Sequence, residues 1–163
     1  MTAKESPSST GRRFTANLQY GGPYREEMEE DERLGRCRFC HWATQDSIVV
    51  ARTENWFAMR RSWPYKGKNG TEARNSVLVM PARHVTDEDE LTLQDAVERQ
   101  ALIRTVKRQL GIEGFCEFAR YGDPDRSGAT YLHFHVHLVE PGDHPNPDPV
   151  KDGVSDPIAL YVG

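Results

Sequence analysis

The ten residues from Tyr131 to Glu140, Tyr-Leu-His-Phe-His-Val-His-Leu-Val-Glu, constrain this chain more than any other segment. Leu132, Phe134, Val136 and Leu138 alternate with His133, His135, His137 and Val139. A period of two is that of a β-strand, whose successive side chains point to opposite faces. The segment therefore reads as a strand with three histidines on one face and an apolar set on the other. The apolar face has to pack on a core, so the histidine face looks into a cleft or a second layer. The run is internal and alternating, unlike a purification tag. Two plainer readings stand beside a catalytic one. The face is simply polar, or it is a metal-binding strip, since imidazoles two apart on a strand can share one ion.

The rest of the chain supplies short elements around that strand. Ser47 to Arg52 and Asn55 to Arg60 read as a strand pair about a tight Thr53-Glu54 connection. Ser76 to Met80 reads as a buried strand stopped by Pro81. Tyr65 to Asn75 is a polar loop with Lys66, Gly67, Lys68, Asn69 and Gly70. Residues 92 to 110 give the best helix. Thr92 and Asp95 form a capping-box-like start. Leu93, Ala96, Val97, Ile103, Val106 and Leu110 recur at helical spacing, and Gly111 supplies the stop. Phe115 to Arg120 is a further strand, with Cys116 expected as an inert core residue.

Three segments are expected. Residues 1–35 form an arm, with an acidic run from Glu26 to Glu32 and too few large apolar residues to bury much alone. That arm is disordered, or lies across the domain or a partner subunit. Residues 36–141 hold the folded domain. Residues 142–163 form a Pro- and Asp-rich tail, with Ile158 to Val162 as a last short strand.

Composition excludes several classes. The 163 residues are enough for one core, and the net charge of −4 gives no basic excess for a nucleic-acid surface. No run approaches the roughly 20 apolar residues of a membrane helix. The polar start has no apolar signal region, so a cytoplasmic location is expected. Three cysteines, Cys37, Cys40 and Cys116, argue against a disulfide framework. Cys37 and Cys40 form a C-x-x-C pair, which reads as metal ligands, a redox motif or two buried thiols.

Four elements together bring a family resemblance. Tyr-Leu-His133-Phe-His135-Val-His137-Leu-Val resembles the H-φ-H-φ-H-φ-φ signature of the histidine triad superfamily, φ being apolar. Asn75 to Val85, with Pro81-Ala-Arg-His84, resembles that family's strand ending in Pro-x-x-His. Trp63-Pro64-Tyr65 resembles its Phe-Pro-Tyr turn, and Cys37-Arg-Phe-Cys40 its C-x-F-C opening. The elements stand in the family's order over residues 37–141, roughly two thirds of the chain.

The resemblance implies an α+β fold: about five mostly antiparallel strands, one long helix and one short. It implies a nucleotidyl hydrolase or transferase. His135 would attack an α-phosphorus to form a covalent nucleotidyl-histidine, resolved by water or another acceptor. A backbone carbonyl would fix its tautomer, and His137 would bond the phosphate or leaving group. Thr130 sits where members carry a Ser or Thr near the phosphate, and the loop with Ser127 and Gly128 can present N–H groups to it. In the zinc-containing branch, the ligands would be Cys37, Cys40, His84 and His133, with His41 and His144 as spares. The metal would be structural. A two-fold homodimer is expected, with a nucleotide-type small molecule as substrate and neither membrane nor nucleic acid as partner. Two alternatives remain: a phosphorylase or transferase using phosphate or a sugar phosphate as acceptor, and a non-catalytic zinc-stabilised nucleotide-binding module.

The chain also departs from the pattern. Members carry Asp or Asn three residues before the turn proline, to hold the ribose; here Arg61 stands there, beside Arg60. The following loop is longer and brings Lys66, Lys68 and Arg74. Arg61 and Lys66 are thus expected to meet substrate anions. After His137 the chain continues to Glu140-Pro141 where members have Pro-Arg or Gly-Gly.

Overall fold

A computed structural model describes residues 12–16, 22–66 and 72–142. The expected strand at Ile158 to Val162, the tail with His144, and Gly67 to Gly70 of the polar loop lie outside the described residues. Five strands make one sheet: β1 Val49–Arg52, β2 Trp56–Arg60, β3 Asn75–Pro81, β4 Cys116–Arg120 and β5 His135–Glu140. Their order is β1-β2-β3-β5-β4, and every neighbouring pair is antiparallel. Helices α1 Pro23–Arg33, α2 Arg38–Trp42, α3 Leu93–Leu110 and α4 Pro124–Ser127, with 3-10 turns at Asp46–Ile48 and Glu88–Glu90, complete the described elements. The fold is α+β with one long helix, as the resemblance implies.

Period-two alternation sends the strand side chains into two apolar layers. Trp56, Ala58, Val77, Val79, Phe134, Val136 and Leu138 pack with Leu102, Ile103 and Val106 of α3 on one face. Phe57, Met59, Leu78 and Met80 pack with Met28 of α1, Cys37, Phe39 of α2 and Tyr131 on the other. The histidines of β5 belong to this second face, where His137 lies across from Leu78 and Phe118.

Helix α3 starts on a capping box, Thr92 Oγ1 accepting from Asp95 N–H while Asp95 accepts from Thr92 N–H. It stops at Gly111 in the left-handed region, φ 63°. Its buried stripe differs from the apolar periodicity. Leu93 and Val97 are exposed, at 88% and 64%, while Asp95 and Glu98 are buried. Hydrogen bonding explains the exchange. Asp95 accepts from Trp56 Nε1–H at 3.0 Å and Arg83 at 2.8 Å. Glu98 accepts from Thr53 Oγ1–H, Asn55 N–H and Asn55 Nδ2–H at 2.7, 3.0 and 2.8 Å. Glu98 fastens the β1–β2 turn to the helix and Asp95 fastens Trp56 and Arg83, so polar groups take the inward phase at this end.

Other boundaries also move. The triad strand pairs only from His135 onward. Before that, Leu132 N–H donates to Phe14 O at 2.9 Å and Phe134 N–H to Val85 O at 2.5 Å. β3 ends at Pro81, and the chain beyond it turns away, so residues 131–134 find other acceptors. Cys116, expected in the core, is exposed, because β4 is an edge strand whose first residues face solvent. The acidic run is helix α1, entered through Pro23, with Met28 and Asp31 fully buried. Asp31 accepts from Arg36 Nε, Arg38 Nε and Tyr131 Oη. Glu32 accepts the N–H groups of Phe14 and Thr15 at 2.6 and 2.8 Å, laying residues 12–16 beside Tyr131. Among the described residues no helix is long and apolar enough to cross a membrane.

Candidate active site and metal cluster

His133, His135 and His137 are all buried, at 1%, 4% and 5% exposure, yet His133 turns away from the cavity that the other two line. His133 turns toward α2. Its Nε2 lies 3.0 Å from Pro81 O; a carbonyl only accepts, so Nε2 carries the proton. Nδ1 then offers its lone pair to the Cys37 and Cys40 sulfurs, 3.3 and 3.6 Å away. His84, just past β3, brings Nδ1 to 3.5 Å from Cys40 Sγ. The four donor atoms lie within 4.8 Å of one another and can hold a metal ion. Zn–N and Zn–S bonds of roughly 2.0–2.3 Å make tetrahedral edges of about 3.3–3.8 Å, and the three distances above fall in that range. The Nε2–H to Pro81 bond is the outer-shell contact that orients a ligating imidazole. Without a metal the thiols share a proton: their mutual hydrogen bond raises Cys37 and lowers Cys40, with burial adding to the first and the imidazoles to the second. His41 bonds Gln45 instead, at 2.7 Å, and is outside the cluster.

His135 faces a cavity of about 440 Å³. Its Nδ1 is 2.7 Å from His133 O. The same logic puts the proton on Nδ1 and leaves the Nε2 lone pair free. Burial above all, with Arg120 and Arg61 nearby, lowers its pKa to about 4 against the bond to His133 O, which raises it, so the ring is neutral at pH 7. His137 is also lowered, by burial and then by His135, Arg61 and Arg120. Its Nδ1 lies 3.2 Å from Tyr65 Oη. The His135 and His137 rings are 4.8 Å apart.

The cavity wall gathers Arg61, Lys66, Gly128, Thr130, His135 and His137 from the expected residues. Ser127 stands off that wall, its Oγ accepting from Ala129 N–H at 3.3 Å. Thr130 Oγ1 is 2.7 Å from Tyr24 Oη of α1. Arg120 was not legible as a site residue. It faces His135 across the β4–β5 ladder, which puts its guanidinium on the histidine face, where Nη1 donates to Gly128 O at 2.7 Å. Arg61 lies over the Tyr65 ring, 4.1 Å from its centroid. Neither Arg61 nor Arg120 has a carboxylate partner within ion-pair reach among the described residues, whereas Lys66 pairs with Glu72 at 3.4 Å. Tyr24 and Glu27 of α1 also line the cavity, and their roles depend on how α1 crosses the sheet.

No family model matches the chain, and no curated protein does. Solved structures do. A "Hit Like Protein" superposes with TM-score 0.53 at 22% identity, covering 65% of this chain and 98% of that one. A histidine triad protein from Clostridium difficile gives 0.53 at 20%, covering 68% and 94%. A histidine triad nucleotide-binding protein from Candida albicans gives 0.54 at 15%, covering 66% and 76%. At these identities the likeness concerns the backbone: the chain has the fold seen in histidine triad proteins.

Proposed function

We propose that the protein is a nucleotidyl hydrolase or transferase working through His135. The observation that carries this reading is the pairing of a fixed lone pair with two guanidiniums that have no carboxylate partner among the described residues. His135 Nε2 is freed by the Nδ1–H bond to His133 O, in a cavity lined by Arg61 and Arg120. A neutral imidazole is a competent nucleophile, and two guanidiniums suit a phosphorus centre whose oxygens gain charge on attack. The cavity falls within the roughly 300–1,000 Å³ of small-molecule sites. The neighbour from Candida albicans carries nucleotide binding in its name, which supports a nucleotide as substrate.

The steps follow from these residues. The α-phosphate sits between Arg61 and Arg120, with Thr130 and the Gly128 loop beside it. His135 Nε2 bonds to phosphorus as the bond to the leaving group breaks. His137 delivers a proton to that group. Water or another acceptor then displaces His135 and frees the nucleoside monophosphate. Cys37, Cys40, His84 and His133 fit zinc, which would act structurally. Holding His133 there also holds the carbonyl that orients His135. A two-fold homodimer and a cytoplasmic location belong to the same reading; light scattering at twice the chain mass of 18.6 kDa checks the dimer.

The test is turnover of nucleoside 5′-phosphoramidates and dinucleoside polyphosphates, followed by release of the monophosphate. His135→Ala is expected to lose at least about 10³-fold in kcat while still binding nucleotide. Unchanged turnover in His135→Ala removes the nucleophile from the reading. Binding without turnover by the unaltered protein would make it a nucleotide-binding module.

A further inference from the structure

His137 is held more closely than burial requires. Phe118 lies flat against its ring, with centroids 4.5 Å apart and planes at 9°. Tyr65 meets it edge-on at 5.6 Å, with Oη 3.2 Å from Nδ1. Tyr65 is itself fixed from three sides. Its ring abuts Phe118 at 5.7 Å, its carbonyl accepts from Ala73 N–H at 2.7 Å, and Arg61 covers its face at 4.1 Å. Tyr65 comes from the loop after β2 and Phe118 from β4, so two separate parts of the chain converge on one imidazole.

Proton balance gives this arrangement a purpose. A neutral imidazole that gives up its only N–H becomes an imidazolate, which is too basic to form near neutral pH. Burial and the neighbouring cations keep His137 neutral, so the ring has no spare proton of its own. A group that protonates Nδ1 while Nε2–H departs removes the difficulty. Tyr65 Oη–H is in hydrogen-bond reach of Nδ1, and a guanidinium over its ring stabilises negative charge on the phenol.

We propose that Tyr65 positions His137 as the Nε2–H tautomer and supplies, through it, the proton taken by the leaving group. The transfer rests on the nucleotidyl reading above; the tautomer does not. As His135 Nε2 bonds to phosphorus, the P–X bond pair moves to X. His137 Nε2–H passes to X, giving HX. Tyr65 Oη–H passes to His137 Nδ1, leaving a phenolate beside Arg61. In the second half the acceptor water loses its proton along the same path in reverse, so both residues return to their starting states.

Two measurements on the full, metal-loaded chain test this. Long-range ¹⁵N–¹H correlation spectra report where the His137 proton sits. The expected result is Nε2–H in the unaltered protein and a shift toward Nδ1–H in Tyr65→Phe, which keeps the ring. A proton on Nδ1 in the unaltered protein, or no change in Tyr65→Phe, overturns the positioning role even if no substrate is turned over. The second measurement compares leaving groups. Tyr65→Phe is expected to lose on the order of 10²-fold in kcat on nucleoside 5′-phosphoramidates with alkylamine leaving groups. On the p-nitrophenyl ester, whose leaving group needs no proton, it loses less than about threefold. Equal losses on both would show a merely structural tyrosine and overturn the relay.

Discussion

His135 and Arg120 face each other across the β4–β5 ladder, and that register sets a guanidinium beside the His135 ring. Arg120 also ties the Gly128 loop to β4 through its carbonyl. Removing it takes away a cation and loosens the loop. Arg120→Ala is expected to lower kcat/KM by on the order of 10²-fold, with Arg120→Lys recovering only part, since an ammonium cannot reproduce the planar fork. A loss within twofold in steady-state assays would take Arg120 out of the proposed phosphate site. The three histidines and the two cysteines were legible at this scale, because their spacing needs no knowledge of tertiary pairing. Arg120 and Tyr65 were not, since their place depends on a strand register and on a loop that returns over the sheet. Ser127 shows the converse: a suitable residue type in a suitable loop, turned to its own backbone.

At the scale of elements, α3 shows how polar contacts displace apolar periodicity. The helix, its cap and its glycine stop were legible because they are local signals, Thr92 with Asp95 and Gly111. Its inward face was not, because Glu98 is drawn in by the β1–β2 turn and Asp95 by Trp56 and Arg83. Thr92→Ala is expected to cost about 1 kcal/mol. Asp95→Ala is expected to cost more, at least about 2 kcal/mol, because Trp56 Nε1–H and Arg83 lose their acceptor. Urea unfolding at pH 7 measures both. Asp95 and Glu98 also bring a pH dependence. Their hydrogen bonds hold both carboxyls at about 2, below ordinary values of 3.8 and 4.5, against the opposing effect of burial, which is largest at Asp95. Folded values below unfolded ones give stability that is complete above about pH 5 and drains as pH falls toward 2. Asp95→Asn is expected to flatten that acid slope, and an unchanged slope would show that the carboxylate is not held this way.

Across the whole molecule, one sheet separates the layer packed on α3 from the layer that holds the histidines. Helix α3 closes one face, while α1, α2 and the four-residue cluster gather on the other beside the triad. The layered α+β architecture was legible from period-two runs around a single long helix. The packing of α1 was not, because beside Met28 it also buries a carboxylate, Asp31, against Arg36, Arg38 and Tyr131. The cluster ties these parts together. Purified protein is expected to hold one zinc per chain by elemental analysis. Cys40→Ser is expected to lose it and to lower Tm by more than about 10 °C. Metal-free protein with unchanged Tm would leave the cluster without a structural role.

The most direct test of the central claim is intact mass spectrometry after brief mixing with a panel of nucleotides, comparing the unaltered protein with His135→Ala. The unaltered protein is expected to gain the mass of one nucleoside monophosphate on the peptide bearing His135, and the variant is expected to gain none. Turnover without any adduct, or an adduct that survives in His135→Ala, would contradict the claim.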